Sequence, residues 1–198
     1  LPNADDFVPI GALLGLAFLG VGFWRARTYL TAPRGVVWTV WAAIVPLVVV
    51  GSLWFAFGDL NIDLRYAAVA LLLSVALATG AEWLARAEQP AHDGGAAVSV
   101  ALIGAGLTAL LAIHIGFDGG WTTVLLGAAA VVPSLATRLR RYPVLGWLST
   151  GAAVVVLARA AVDPTIVGSA FLSKTPVFNW LLPGYGVPAL AFAFAAWQ

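Results

Sequence analysis

The stretch VVWTVWAAIVPLVVVGSLWFAF, Val36 to Phe57, runs for 22 residues without a charged side chain. At about 1.5 Å of rise per residue, a helix of that length covers about 33 Å, slightly more than the roughly 30 Å of a bilayer's hydrocarbon core. The stretch does not alternate between apolar and polar residues, as the ~10-residue strands of a membrane β-barrel do. Lipid offers no water to bond the backbone, so a spanning segment must satisfy its own N–H and C=O groups, and a helix does this.

Five more runs of this kind lie on either side: Phe7–Trp24, Tyr66–Leu84, Ala96–Phe117, Trp121–Thr137 and Val144–Val162, each ended by a charge, a Gly or a Pro. A last apolar run, 187–198, is about half a span. The expected fold is therefore all-α, a polytopic transmembrane helical bundle. It has about six full spans, a truncated seventh and one interfacial or re-entrant element, and the whole of 1–198 forms a single transmembrane segment. The chain contains no Met, so Leu1 is not expected to be a natural start, and the short last run points the same way, to a piece of a longer chain. Phe7–Trp24 is not expected to be a signal peptide, because Asp5 and Asp6 precede it and Arg25 and Arg27 follow it.

Composition supports the same reading. Apolar residues make up 62% of the chain and charged residues 10%, against roughly 45–50% and about 25% in soluble domains. The net charge of +1 gives no footprint for nucleic acid. Without cysteine there are no disulfides, thiolate metal sites or cysteine nucleophiles. The partners expected are membrane lipids and other transmembrane helices, either of the same longer chain or of partner subunits.

Seven arginines, at 25, 27, 34, 86, 138, 140 and 141, fall in or beside the loops on one side, while Arg65, Arg159 and Lys174 fall on the other. Basic residues accumulate in cytoplasmic loops, so the Arg-rich side is expected inside and residue 1 outside. The connections are too short to hold a soluble domain. Asp118-Gly119-Gly120 reads as a three-residue turn that makes the fourth and fifth helices antiparallel neighbours.

Residues 164–186 depart from the pattern. They open on the Asp163-Pro164 turn signal and carry Lys174, Pro176, Asn179, Trp180, Pro183 and Tyr185. Trp and Tyr favour the headgroup level, so this stretch reads as an interfacial or re-entrant element on the outer face. Arg159, Asp163, Lys174, Asn179, Trp180 and Tyr185 are its candidate binding residues.

Ionisable groups inside a membrane mark function by default, and few are present. Glu82 and Arg86 are four apart and share a helix face, as do Arg159 and Asp163, and His114 and Asp118; interfacial ion pairing is the plain reading. One His and one Asp fall short of a metal site, and a lone His114 as an axial tetrapyrrole ligand has no second feature behind it, so neither metal nor cofactor is expected. His92 reads as a solvated loop residue. No span carries a charge at its middle, which counts against a proton relay or ion pump. The deep polar groups are hydroxyls, among them Ser52, Ser74, Thr108 and Ser149.

No GxxxxGK[ST], HExxH or GxSxG is present. Ser173 and Lys174 are adjacent, so their side chains diverge, and Asp5-Asp6 alone make no active site. No catalytic residue is assigned. Small residues instead mark helix contacts: Gly11 and Gly15 in the first span, Gly104 and Gly106 in the fourth, and Gly127 to Ala130 in the fifth. Pro46 and Pro133 lie within spans and are expected to kink them.

Two stretches carry a resemblance. LPNA (Leu1–Ala4) leading into FVPIGALLG (Phe7–Gly15), and LSKTPVFNW (Leu172–Trp180) followed by GYGVPALAF (Gly184–Phe192), resemble a bacterial family of multi-pass membrane proteins catalogued as domain of unknown function 2339. The resemblance covers both ends of the chain. It implies a longer protein with a non-membrane N-terminal region and further spans, in the bacterial inner membrane, and it implies no activity. The function read from all of this is a scaffold or accessory subunit of a membrane assembly. The alternatives are a transporter or lipid-handling segment and an outer-face enzyme on lipid-linked substrates.

The orientation has a direct test. A Gly119→Cys variant is expected to label with a membrane-impermeant thiol reagent from outside, and Arg140→Cys only after permeabilisation; the reverse pattern would overturn the assignment.

Overall fold

The computed structural model describes residues 4–58, 60–117, 119–162 and 182–197. Among them the chain is helical with no strand: α1 (Ala4–Thr28), α2 (Pro33–Phe57), α3 (Leu64–Ala85), α4 (Ala96–Gly116), α5 (Gly119–Leu139), α6 (Pro143–Val162) and α7 (Val187–Trp197). Five helices, α1 to α5, are long and apolar enough to cross a membrane. The apolar stretches Pro143–Arg159 and Gly184–Trp197 are shorter.

The helices overrun the apolar runs. α1 continues past Trp24 through Arg25 and Arg27 to Thr28, because a helix that has left the hydrocarbon loses nothing by keeping its hydrogen bonds. The Thr28 hydroxyl donates to the Trp24 carbonyl at 3.0 Å, one turn back along the helix. Pro33 opens α2, where its missing N–H is no loss. Gly119 and Gly120, expected in a turn, begin α5 instead. Glycine weakens a helix through backbone entropy, chiefly in its interior, so two at the first positions cost little. α2 and α5 continue across Pro46 and Pro133.

The chain divides into two compact units, Leu1–Gly116 and Phe117–Gln198. In the first, α1 pairs with α2 and α3 with α4, and α2 lies against α3 and α4. The α1–α2 seam is lined by small residues. A Cβ added at Gly11 would sit 3.1 Å from Val49 Cγ1, at Gly15 3.7 Å from Pro46 Cα, and at Gly22 2.7 Å from Ala42 Cβ. One strip of α1 therefore faces α2 along most of its length, antiparallel, and Pro46 sits on the facing side of α2. Gly104 of α4 meets Ala43 of α2 in the same way, with 2.8 Å to its Cβ; Gly106 is half-buried on the same helix. Gly80 of α3 lies under the Phe23 ring of α1, which leaves no room for a side chain.

Small groups line the interior, with Ala26, Ala42, Ala70 and Ala101 buried completely, beside the larger Leu77, Leu84, Val98 and Ile115. The outside also carries large apolar side chains, with Leu13 at 74%, Phe55 at 68% and Leu72 at 68% exposure. Water would penalise such a surface at about 25 cal/mol per Å², whereas lipid does not. The chain is built to be embedded in a membrane.

In the second unit, α5 packs on α6 and on α7. The connection at 140–142 returns α6 along α5, and the Ser149 hydroxyl donates to Ala130 O at 2.8 Å. A Cβ at Gly127 would come within 2.8 Å of Pro188 Cα, which brings α7 onto α5 at a glycine. A single π-helical turn, Leu182–Gly186, leads into α7.

These seams predict a contrast. Gly22→Leu, against a filled wall, is expected to lower stability in mild detergent by roughly 1–3 kcal/mol. Gly51→Leu, where an added Cβ meets nothing within 4 Å, is expected to change the melting temperature little. Equal effects would mean that the α1–α2 seam is not closely packed.

Candidate functional site

Of the six residues expected to form an outer-face site, Asp163, Lys174, Asn179 and Trp180 lie outside the described residues, as does nearly all of the expected interfacial element. Its last residues form the π-helical turn, where Tyr185 is exposed.

Arg159 is in the last turn of α6. Its Nε is buried and has no hydrogen-bond partner. The Ser149–Ala130 bond sets the register, so Arg159 comes level with the start of α5. There Thr123, 1% exposed, also has an unpartnered hydroxyl. Its neighbour Thr122 is satisfied, donating to Phe117 O at 2.8 Å. Buried polar atoms are nearly always bonded, so a guanidinium N–H and a hydroxyl left over at one end of a helix pair are available to a polar ligand. A third such atom, Ser134 Oγ, lies farther along α5.

The other candidates resolve into structure. Glu82 and Arg86 pair as expected, with Arg86 Nε 3.1 Å from Glu82 Oε1. His114 meets Trp54 edge to face, ring centroids 5.8 Å apart at 86°; its expected partner Asp118 lies outside the described residues. Trp54 in turn donates its indole N–H to Asn61 O at 2.9 Å and packs with Ala67 and Ile115. Asp63 caps α3 by accepting from Arg65 N at 2.7 Å, while its own N–H donates to Ile115 O at 3.1 Å. His114 therefore serves to close this end of the four-helix unit. Among the described residues no cluster of three His, Cys, Asp or Glu could hold a metal.

In the four-helix unit the hydroxyls of Thr39, Ser74 and Thr108 are spent. Thr39 donates to Gly35 O, Thr108 to Gly104 O and Ala105 O, and Ser74 reaches across to Ala105 O of α4 at 2.7 Å.

Two arrangements were not foreseen from the residues. The Glu88 carboxylate accepts from Gly94 N at 2.9 Å and Gly95 N at 2.8 Å, and so folds the α3–α4 loop and places an anion before the N-terminus of α4. Gly94, at φ 75°, occupies the left-handed region that glycine adopts without strain. An acid close ahead of a Gly-Gly pair and a helix start was the available signal. The second is Arg27 stacked on Trp83, its guanidinium carbon 4.4 Å from the ring centroid; nothing in the spacing of residues 27 and 83 announces it.

No family model, curated protein or solved structure matches this chain.

Glu88→Ala is expected to destabilise the protein by about 1–3 kcal/mol, the usual cost of stranding donors that faced a charged acceptor. Hydrogen exchange should quicken at the amides of Gly94 and Gly95. Unchanged protection there would show that the carboxylate does not organise the loop.

Proposed function

We propose that this chain is a non-catalytic membrane scaffold, part of a larger inner-membrane assembly, with α6 as a sixth span. One observation supports this most directly: in the four-helix unit Gly meets Ala or Pro at the close seams, Leu77, Leu84, Val98 and Ile115 fill the interior beside them, and the deep hydroxyls of Thr39, Ser74 and Thr108 are consumed by backbone carbonyls. A cavity that moves a solute needs room and unspent polar groups, whereas a unit that holds other helices in place needs rigidity and an apolar outside. The exposed Leu, Val and Phe side chains on every span suit contact with lipid or with further helices equally.

A second reading draws on Arg159 and Thr123. Leaving a guanidinium N–H unbonded at a buried position is costly, and a site that takes up a lipid or solute with an acceptor group would account for it. The second unit would then handle a ligand while the first supports it.

Purification of the full-length protein from native membranes in mild detergent, followed by intact-mass analysis of what accompanies it, separates the two. Stoichiometric partner subunits that dissociate when lipid-facing residues such as Leu72 are changed to Ser support the scaffold. A lone chain carrying a bound small molecule that Arg159→Ala abolishes would favour the second reading and overturn the first.

A further inference from the structure

At the Arg-rich end of the four-helix unit, the last turns of α1 and α3 enclose an open groove of about 450 Å³ lined by Trp24, Arg27, Thr28 and Trp83, within the roughly 300–1,000 Å³ of small-molecule sites. The guanidinium carbon of Arg27 lies over Trp83, 4.4 Å from the ring centroid, and that of Arg25 lies 5.3 Å from the ring centroid of Trp24. The ring takes one side of the Arg27 guanidinium, whose N–H groups form a planar fork that suits a phosphate's two oxygens. Among the described residues no carboxylate pairs with Arg27, and Glu82, beside Trp83 on α3, is held by Arg86. The Thr28 hydroxyl is already given to Trp24 O.

Both tryptophans stand at the ends of outward apolar tracks. On α1 the track runs through Leu13, Leu16 and Gly20 to Trp24, and an added Cβ at Gly20 would meet nothing within 4 Å. On α3 it runs through Leu72, Val75 and Thr79 to Trp83. Tryptophan marks the headgroup level, so the groove sits where a lipid phosphate sits, with hydrocarbon-facing surface directly below it.

We propose that this groove is a binding site for a single acidic phospholipid. Arg27 holds the phosphate, the two indoles form the walls, and the acyl chains lie along the α1 and α3 tracks. Arg25 is outside the groove lining, against the Trp24 ring, and adds to the positive charge of this end. A guanidinium with no acid free to balance it disfavours the cationic head of phosphatidylcholine, which makes the site selective for a net negative lipid. The proposal needs only that the chain is embedded in a membrane, and it stands apart from the scaffold reading.

The test is native mass spectrometry of the full-length protein in detergent, titrated with phosphatidylglycerol or phosphatidylcholine of matched acyl chains. The first phosphatidylglycerol is expected to bind preferentially. Arg27→Gln should weaken it about fivefold, the factor that corresponds to roughly 1 kcal/mol for one basic residue at a membrane surface. Arg27→Lys should keep most of the preference, and Arg34→Gln, on the same side but outside the groove, should keep all of it. Equal losses from Arg27→Gln and Arg34→Gln would mean diffuse charge rather than a site. If Arg27→Gln lowers the melting temperature alike in both lipids and leaves the preference intact, the Arg27–Trp83 stack only fastens α1 to α3, and the proposal fails. Displacement of the lipid by millimolar inorganic phosphate would also overturn it, in favour of a small-anion site.

Discussion

Everything in the four-helix unit depends on how closely two helix backbones approach. In water, burying large apolar side chains drives helices together; in lipid that force is absent, because the tails outside are as apolar as the side chains within. What remains is van der Waals contact, which falls off within an ångström of the optimum. Gly22 against Ala42 and Gly104 against Ala43 are two positions where that contact is close. α2 receives both from adjacent residues, so Ala42 turns toward α1 and Ala43 toward α4. The remaining arrangement of the unit follows from this central helix. Phe23 fits the same logic from the opposite direction: a large ring enters the interior only because Gly80 has vacated the space.

Close approach has a polar counterpart. A hydroxyl in lipid without a partner is costly, and Ser74 turns that cost into a link by donating across α3 and α4 to Ala105 O. Ser149 does the same between α6 and α5. Contacts of this kind contribute about 0.6 kcal/mol on average, less than a packed seam, but they specify register where apolar surfaces allow sliding. At the ends of the spans, where water returns, stronger devices take over: the Trp54 indole on Asn61 O, Asp63 at the cap of α3, and Glu88 on the paired amides of Gly94 and Gly95.

Which parts of this were legible in the residues follows from the same physics. The helices were, because an uncharged run of spanning length has almost no other use: Val36–Phe57 was expected and α2 ends at Phe57. Helix rotation was not, since spans that are apolar on every side have no polar face to mark the outside. Only the small residues carry that information. Gly11, Gly15 and Gly104 were identified as contact positions, but the facing residues Val49, Pro46 and Ala43 could not be named, because any apolar neighbour would have served equally in the pattern. Trp54, His114 and Asn61 come together through tertiary packing alone, and the edge of His114 on Trp54 is not readable from the place of either residue in the chain. The place of Arg159 near the end of a span is legible in the sequence, whereas the burial of its Nε without a partner is not.

The two ends of the unit use aromatic residues in opposite ways, which bears on how it sits in a membrane. At the Arg-poor end Trp54 is buried, its indole N–H spent on the chain's own backbone, and it holds the loop down on the helices. At the Arg-rich end Trp24 and Trp83 are exposed, and the groups they meet are cations. A tryptophan turned inward adds cohesion and offers nothing to the surroundings, whereas one turned outward beside an arginine presents an apolar body and a positive edge at the depth where lipid changes from tail to phosphate. The asymmetry of basic residues along the chain is therefore repeated in three dimensions by an asymmetry of their aromatic neighbours. An end anchored to headgroups and an end sealed by its own packing give a helical unit a fixed depth, which any assembly built on it requires.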